Sequence, residues 1–179
     1  MPISEFTYRR RVQFPETDAS GIVHFTNFFK YVEEAEHAMW RAAGVSINQH
    51  DRGIGWPRVA ASFEFRKPLR FEDEFDVHLR IAEKTGKTIR YAATLRRNGE
   101  VHAEGSLTII CVRRVAGEPI KATNIPADLA ALFEVTTDAE LSRTSEKTVQ
   151  HGDTVFTVKS ARTSHRTRDR ISGRRRRDE

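Results

Sequence analysis

The sequence predicts an α+β fold in which an antiparallel sheet wraps around one long helix. Two observations indicate this fold: a single stretch with helical periodicity lies early in the chain, and four strand-like segments follow it. Because no second helix of that length is predicted, the sheet can bury its apolar face only by curling around the first. A chain of 179 residues has room for one such core and too little for two.

The first element is a strand over residues 6–14, where aromatic and β-branched residues alternate imperfectly and Pro15 ends the run. The following segment, 15–22, reads PETDASGI and is rich in turn-forming residues. We therefore expect the chain to turn here, before the helix begins.

The helix is predicted from an apolar stripe with spacings of three and four residues. Its members are Phe28, Val32, Ala35, Met39 and Ala42. The charged residues that lie mostly off this stripe are Lys30, Glu34, Glu36 and Arg41. Thr26 or Asn27 can cap the start of the helix, because either side chain accepts a hydrogen bond from the free amides of the first turn. Gly44 marks the predicted end.

After the helix, four strand-like segments form a predicted antiparallel meander, over residues 59–65, 74–82, 88–96 and 101–113. Asn98-Gly99 separates the last two and is a strong hairpin signal, since both residues tolerate positive φ. A short closing helix within 125–133 is expected to cover an end or edge of the sheet.

The predicted domain covers residues 1–135, and residues 136–179 are predicted to be a basic, disordered tail. Ser, Thr, Arg and His dominate this tail, so it can bury too little apolar surface to offset chain entropy. It holds 11 Lys and Arg against 7 Asp and Glu. The domain is nearly neutral, with 19 against 18, which argues against a protein that binds nucleic acid specifically.

Metal and membrane classes are also disfavoured. The seven histidines are scattered, and the one cysteine, Cys111, lies in an apolar run, so no metal site is predicted. The sequence shows neither a signal-peptide pattern at its start nor a run of 18 apolar residues. We therefore expect a soluble, cytoplasmic protein without a membrane segment.

The turn before the helix carries the residues best suited to chemistry. Asp18 lies in this turn, Gly21 allows a tight reversal, and the N-terminus of the helix presents amides without intrahelical partners. Such amides stabilise negative charge that develops on a carbonyl oxygen, and a nearby carboxylate can attack the carbonyl or activate water. This combination suits acyl transfer. An aspartate at this place can also do no more than form an Asx-turn.

The segment 14–29, FPETDASGIVHFTNFF, closely resembles the signature of the 4-hydroxybenzoyl-CoA thioesterase family. The matching residues are Phe14, Thr17, Asp18, Ala19, Ser20, Gly21, Ile22, Val23, His24, Phe25, Asn27, Phe28 and Phe29. The resemblance covers about residues 6–135 and is supported by the element order and by Trp56-Pro57-Arg58 leading into a strand. It implies a hotdog fold, usually dimeric or tetrameric, with active sites at the dimer interface.

The resemblance also implies roles for individual residues. Asp18 takes the position of the catalytic aspartate, and the backbone amide of Phe25 the position that polarises the thioester carbonyl. His24 is expected to line the site, with a catalytic part as an alternative. Some family members carry a histidine where this chain has Phe25, which places a histidine-assisted mechanism in doubt. The expected substrate-binding residues are Gly21, Ile22, Val23, Glu33, Trp56 and Pro57.

Coenzyme A is expected only as part of the substrate, with no separate cofactor. Lys84, Lys87 and Arg90 flank a predicted turn where family members place cations on the nucleotide phosphates. Arg58 is a further candidate. The alternative for these residues is an ordinary solvated hairpin end.

The function that the resemblance implies is hydrolysis of an acyl-CoA thioester, with Asp18 as nucleophile or general base. Two alternatives stay open: an acyl-CoA binding module without activity, and a hotdog enoyl-CoA hydratase that uses Asp18 and His24 as an acid–base pair. The sequence leaves open the acyl chain, the choice between CoA and an acyl-carrier protein, dimer against tetramer, the role of the tail and the pathway.

Overall fold

The computed structural model describes residues 1–136, 145–151 and 154–160, and of the last two ranges only the backbone. The helices are α1 (Thr26–Ala42) and α2 (Ala127–Ala130), and short 3-10 turns lie at Phe14–Glu16 and His50–Arg52. The strands are β1 (Glu5–Arg11), β2 (Ile54–Gly55), β3 (Arg58–Phe65), β4 (Glu74–Lys84), β5 (Thr88–Arg97), β6 (Glu100–Ile110), β7 (Val112–Arg113), β8 (Lys121–Ala122), β9 (Ser145–His151) and β10 (Thr154–Ser160).

The main sheet has the order β3-β6-β5-β4-β1-β10-β9, and every neighbouring pair is antiparallel. β2, β7 and β8 form a second, smaller sheet. In β4 and β5 every second side chain is buried, as a sheet with one covered face requires. The covering element is α1, which lies against β4 and β1. The predicted α+β architecture, an antiparallel sheet around one main helix, is confirmed.

The core lies between α1 and the sheet. Its largest fully buried side chains include Trp40, Tyr31, Tyr91, Phe6 and Phe75. From the predicted helix stripe, Phe28, Val32, Ala35 and Met39 are buried, whereas Ala42 is exposed at the helix end. Glu36 departs from the prediction, because it was placed off the apolar stripe and is fully buried. The reason is a long-range partner, Arg58 of β3, which approaches the helix at this point.

The predicted strands and the observed ones differ mainly at their ends. The first strand stops at Arg11, and the chain continues through the 3-10 turn Phe14–Glu16. The predicted strand 101–113 is divided at Cys111 into β6 and β7, which belong to different sheets. The hairpin at Asn98-Gly99 is confirmed, and both residues have positive φ, 52° and 79°.

The C-terminal segment differs from the predicted disordered tail at two places. β10 pairs with β1 and β9 pairs with β10, so the backbone of residues 145–151 and 154–160 extends the main sheet. Strand pairing satisfies backbone groups at the open edge of β1, a long-range effect that tail composition does not encode. The rest of 136–179, beyond Thr136, lies outside the described residues, and the domain boundary at 135 stays a prediction. None of the described helices is long and apolar enough to cross a membrane.

Candidate active site

Asp18 lies in a tight turn between the first 3-10 turn and α1. Its N–H donates to the carbonyl of Ile22 at 2.8 Å, and its carbonyl accepts the N–H of Gly21 at 2.9 Å. Gly21 has φ +71°, a left-handed conformation that favours glycine. The Ser20 N–H donates to one carboxylate oxygen of Asp18 at 2.7 Å, so the side chain does form an Asx-turn. The other oxygen has no hydrogen-bond partner among the described residues.

The backbone amide of Phe25 stands at the start of α1. Phe25 has helical dihedrals, φ −52° and ψ −31°, and directly precedes the first helical residue. In the described part of the chain no group accepts a hydrogen bond from its N–H. This amide therefore combines an open donor with the positive end of the helix dipole, which is the environment that stabilises an oxyanion. Phe25 as a whole is 56% exposed.

His24 lies between these two groups in the sequence and is half-buried. Its Nδ1 shares a hydrogen bond of 2.8 Å with the Thr26 hydroxyl, and its ring packs on that of Phe25 with centroids 4.6 Å apart. No hydrogen bond joins His24 to Asp18 among the described contacts. These contacts favour His24 as a wall of the site and count against an acid–base pair with Asp18.

Ile22 and Val23 complete the turn. Val23 is buried, pairs with Thr17 across the turn and donates its N–H to Leu69 at 2.8 Å. Ile22 is half-buried and offers the apolar surface expected beside an acyl group.

Glu33 and Arg58 belong to one charge cluster on α1 and β3. A single guanidinium nitrogen of Arg58, Nη2, lies 2.9 Å from Glu33 and 2.5 Å from Glu36. Burial raises the pKa of Glu36 to about 7, against the opposing effect of Arg58. Because two carboxylates share the Arg58 cation, the structure counts against its predicted role on the coenzyme phosphates. Glu33, which was predicted to reach the acyl group, forms an ion pair with Arg58.

Trp56 and Pro57 lie just before β3. Trp56 is 5% exposed and packs against Trp40 with ring centroids 5.0 Å apart, so it belongs to the core rather than to an open pocket wall. Its indole N–H has no hydrogen-bond partner in the described structure. Pro57 is exposed, and its carbonyl accepts the N–H of Ile110 at 3.1 Å.

The three predicted coenzyme-binding cations at the β4–β5 turn have different environments. Lys84 donates to the carbonyls of Ala130 and Phe133, at 2.8 and 2.5 Å, and so holds the end of α2. Arg90 pairs with Glu83 at 3.1 Å. Lys87 is exposed and has no ion-pair partner in the described structure. Of these three cations, Lys87 is therefore the one that no described carboxylate or carbonyl engages.

A cleft of about 430 Å³, which the sequence pattern did not predict, lies near the Lys87 turn. Its lining residues are Asp51, Arg52, Gly53, Ile54, Arg113, Arg114, Val115, Thr123, Asn124 and Pro126. The turn adjoins this cleft, because a Cβ on Gly86 would lie 3.7 Å from the Asn124 side chain. Arg52 is paired with Asp128, whereas Arg113 and Arg114 have no carboxylate partner among the described residues. The adjacent arginines at a strand end were the available sequence signal.

The sequence is similar to a known protein family and to several known proteins. Residues 12–133 match the sequence profile of the thioesterase-like superfamily. A provisionally named esterase from Aquifex aeolicus is 43% identical over 88 residues, which cover 49% of this chain and 69% of that protein. A 1,4-dihydroxy-2-naphthoyl-CoA hydrolase from Nostoc punctiforme is 32% identical over 83 residues, covering 45% of this chain. That match spans 55% of the length of the hydrolase.

Solved structures extend the likeness over most of the described residues. A hypothetical protein from Aquifex aeolicus superposes with a TM-score of 0.67 at 32% identity, covering 72% of this chain and 98% of its own. A gentisyl-coenzyme A thioesterase superposes with a TM-score of 0.64 at 28% identity, covering 72% and 99%. A 4-hydroxybenzoyl-CoA thioesterase, at 21% identity and a TM-score of 0.64, covers 73% and 99% and shows likeness of fold alone. The predicted hotdog fold is confirmed.

Proposed function

Since the chain belongs to the thioesterase-like superfamily, we propose that it hydrolyses the thioester of an acyl-CoA to a free acid and CoA. The observation that carries the proposal is the open amide of Phe25 at the start of α1, a few residues beyond the Asp18 carboxylate. Support comes from the similar proteins, whose names include hydrolases of 1,4-dihydroxy-2-naphthoyl-CoA and gentisyl-CoA. Both of those substrates are aromatic acyl-CoA thioesters, so aromatic substrates are the first to test.

In the proposed reaction the thioester oxygen lies at the N–H of Phe25. As the carbonyl carbon is attacked, negative charge on its oxygen is stabilised by this amide and by the helix dipole. Asp18 acts in one of two ways: as a base it takes a proton from the attacking water, and as a nucleophile it forms an anhydride that water then opens. In both cases the carbon–sulfur bond breaks, CoA leaves as a thiolate and takes up a proton. Water is the only other reactant.

We place the phosphates of the coenzyme at the cleft beside the Lys87 turn. Among the predicted cations, Lys84, Arg90 and Arg58 are engaged by other protein groups, whereas the Lys87 side chain has no such contact with the described residues. Arg113 and Arg114 add two more cations at the cleft. Arginine and lysine bind phosphate oxygens through charge-assisted hydrogen bonds, which explains this combination of residue types.

The proposed assembly is a homodimer or homotetramer with active sites at the dimer interface. Support comes from β3, which ends the main sheet and whose residues are exposed except for Phe63, which is half-buried. Phe65 on this strand is 49% exposed and packs against Phe28 of α1, with ring centroids 5.0 Å apart. A second copy that pairs with β3 would cover the exposed ring of Phe65.

The proposal is tested by measuring thiol release from short, long and aromatic acyl-CoAs with the wild-type chain and with Asp18→Asn. We expect the variant to lower kcat by roughly 10³-fold and to keep its fold, because an amide neither attacks nor accepts the proton. The control is Asp76→Asn, an aspartate paired with Arg9 on the sheet surface, which should retain full activity. Equal activity of Asp18→Asn and the wild-type chain would contradict the proposal.

The two alternatives give different results in the same experiment. An acyl-CoA binding module would bind the substrates but release no thiol. An enoyl-CoA hydratase would remove the conjugated absorbance of an enoyl-CoA without releasing thiol. The hydrogen bond of His24 to Thr26 rather than to Asp18 gives the hydratase no support.

A further inference from the structure

The carboxylate of Glu16 accepts more hydrogen bonds than any other group near the Asp18 turn. Arg10 donates from two guanidinium nitrogens, at 2.5 and 3.0 Å. The Tyr31 hydroxyl donates at 2.8 Å and the Gln13 N–H at 2.7 Å. We call Arg10, Glu16 and Tyr31 the Glu16 clamp. It joins β1, the residue just before the turn, and α1.

The Glu16 clamp is largely shielded from solvent. The side chains of Arg10 and Glu16 are each 15% exposed, and Tyr31 is fully buried. The guanidinium of Arg10 lies over the Tyr31 ring, 4.5 Å from its centroid, and also bonds Glu34 at 2.5 and 3.1 Å. Hydrogen bonds to a shielded charged group are stronger than those at the surface. The clamp therefore restrains Glu16 more firmly than an exposed ion pair could.

The backbone of Glu16 transmits this restraint to the site. Its carbonyl accepts the N–H of His24 at 2.9 Å and the side-chain amide of Asn27 at 2.7 Å. Asn27 is buried in the first turn of α1. Glu16 thus holds both ends of the Asp18 turn. It lies just before Thr17 at the start of the turn, and its carbonyl accepts hydrogen bonds from His24 and Asn27 at the end.

Resting on the proposed function, we propose that Glu16 is a positioning residue for the thioesterase reaction. It contacts no reacting atom. Through the clamp and its own carbonyl it fixes the distance between the Asp18 carboxylate and the Phe25 amide. Catalysis requires such groups to be held within about 0.5 Å of the productive geometry. A displacement of about 1 Å typically costs about 100-fold in rate.

The test compares Glu16→Gln and Tyr31→Phe with a matched control, Arg9→Gln. Arg9 neighbours Arg10 on β1 and pairs with Asp76, but that pair lies at the surface, with side chains 59% and 37% exposed. We expect Glu16→Gln to lower kcat about 100-fold and Tyr31→Phe about tenfold, with KM changed less than about threefold. Arg9→Gln should leave both constants unchanged, because surface ion pairs contribute little.

A second measurement separates positioning from general stability. In an Asp18→Asn background the group that Glu16 positions is absent, so adding Glu16→Gln should slow the residual reaction less than about tenfold. Two results would overturn the proposal. One is a double variant whose loss in kcat equals the product of the losses of Asp18→Asn and Glu16→Gln; the other is a kcat of Glu16→Gln within twofold of wild type. If Glu16→Gln fails to fold, Tyr31→Phe decides, since it removes one hydrogen bond and keeps the ring.

The outcomes also separate this inference from the proposed function. Thiol release by the wild-type chain that depends on Asp18 but not on Glu16 or Tyr31 would overturn the positioning role alone. An absence of thiol release by the wild-type chain would overturn both, because no reaction would remain to be positioned.

Discussion

At the scale of single residues, Glu36 is a carboxylate whose pKa is strongly changed by its surroundings. It is fully buried, one of its oxygens accepts no hydrogen bond from the described residues, and the other contacts Arg58 at 2.5 Å. Burial raises its pKa to about 7 from an ordinary value of 4.5. Between these two values the folded protein holds a proton that the unfolded chain has lost. The free energy of unfolding should therefore fall as the pH rises from about 4.5 to 7.

This pH dependence is testable with Glu36→Gln, which cannot ionise. Relative to wild type, the variant should gain roughly 3 kcal/mol of unfolding free energy between pH 4.5 and pH 8. The measurement is denaturant unfolding at several pH values across that range. Glu74→Gln serves as the control, because Glu74 is exposed and its hydrogen bond to Arg11 lowers its pKa. Parallel stability curves for wild type and Glu36→Gln would contradict the assignment.

The environment of a residue can be predicted from the sequence when its contact partners lie close to it along the chain. Asp18 and the Phe25 amide lie only seven positions apart, so the sequence motif locates both groups. Their catalytic roles stay predictions until tested. The Glu16 clamp depends on Arg10 and Tyr31, which reach Glu16 only when β1 and α1 pack together. No local periodicity encodes that packing. The burial of Glu36 was missed for the same reason.

At the scale of elements, the strand periods were sufficient to find the sheet. The predicted segments 74–82 and 88–96 fall within β4 and β5, because alternating burial leaves a clear pattern on central strands. The choice of cations at the turn between them was less predictable. Sequence shows where Lys84 and Arg90 stand, but not that α2 and Glu83 engage them. The cleft at Arg113 and Arg114 depends on contacts between separate loops.

The cleft makes its own prediction about substrate recognition. Replacing both Arg113 and Arg114 by Ala should raise KM for an acyl-CoA about 30-fold, since each phosphate contact contributes on the order of 1 kcal/mol. The same variant should hydrolyse the matching acyl-pantetheine, which lacks the nucleotide, as fast as wild type. The control is Arg90→Ala, whose cation is paired with Glu83. Equal loss with both substrates would show that the arginines do not contact the nucleotide.

At the scale of the whole molecule, the exposed edge of the sheet is the feature that a single copy leaves unexplained. Proteins usually protect an edge strand with charges, proline or a covering element. Besides the charged residues Arg58 and Glu64, β3 carries Val59, 57% exposed, and Phe65, 49% exposed, and it ends the main sheet. Pairing with β3 of a second copy would satisfy the open backbone groups and cover these side chains in one step.

We therefore expect the chain to sediment as a dimer or a tetramer at micromolar concentration, with the smaller form at about 41 kDa, twice the mass of one chain of 20.5 kDa. Phe65→Glu should shift it toward the monomer, because a charge would be buried at the interface without a partner. Ile120→Glu is the matched control, since Ile120 is 63% exposed and lies outside β3. If active sites lie at the interface, thiol release should fall together with association on dilution of Phe65→Glu. A fully active wild-type monomer in sedimentation and dilution assays would contradict the shared site.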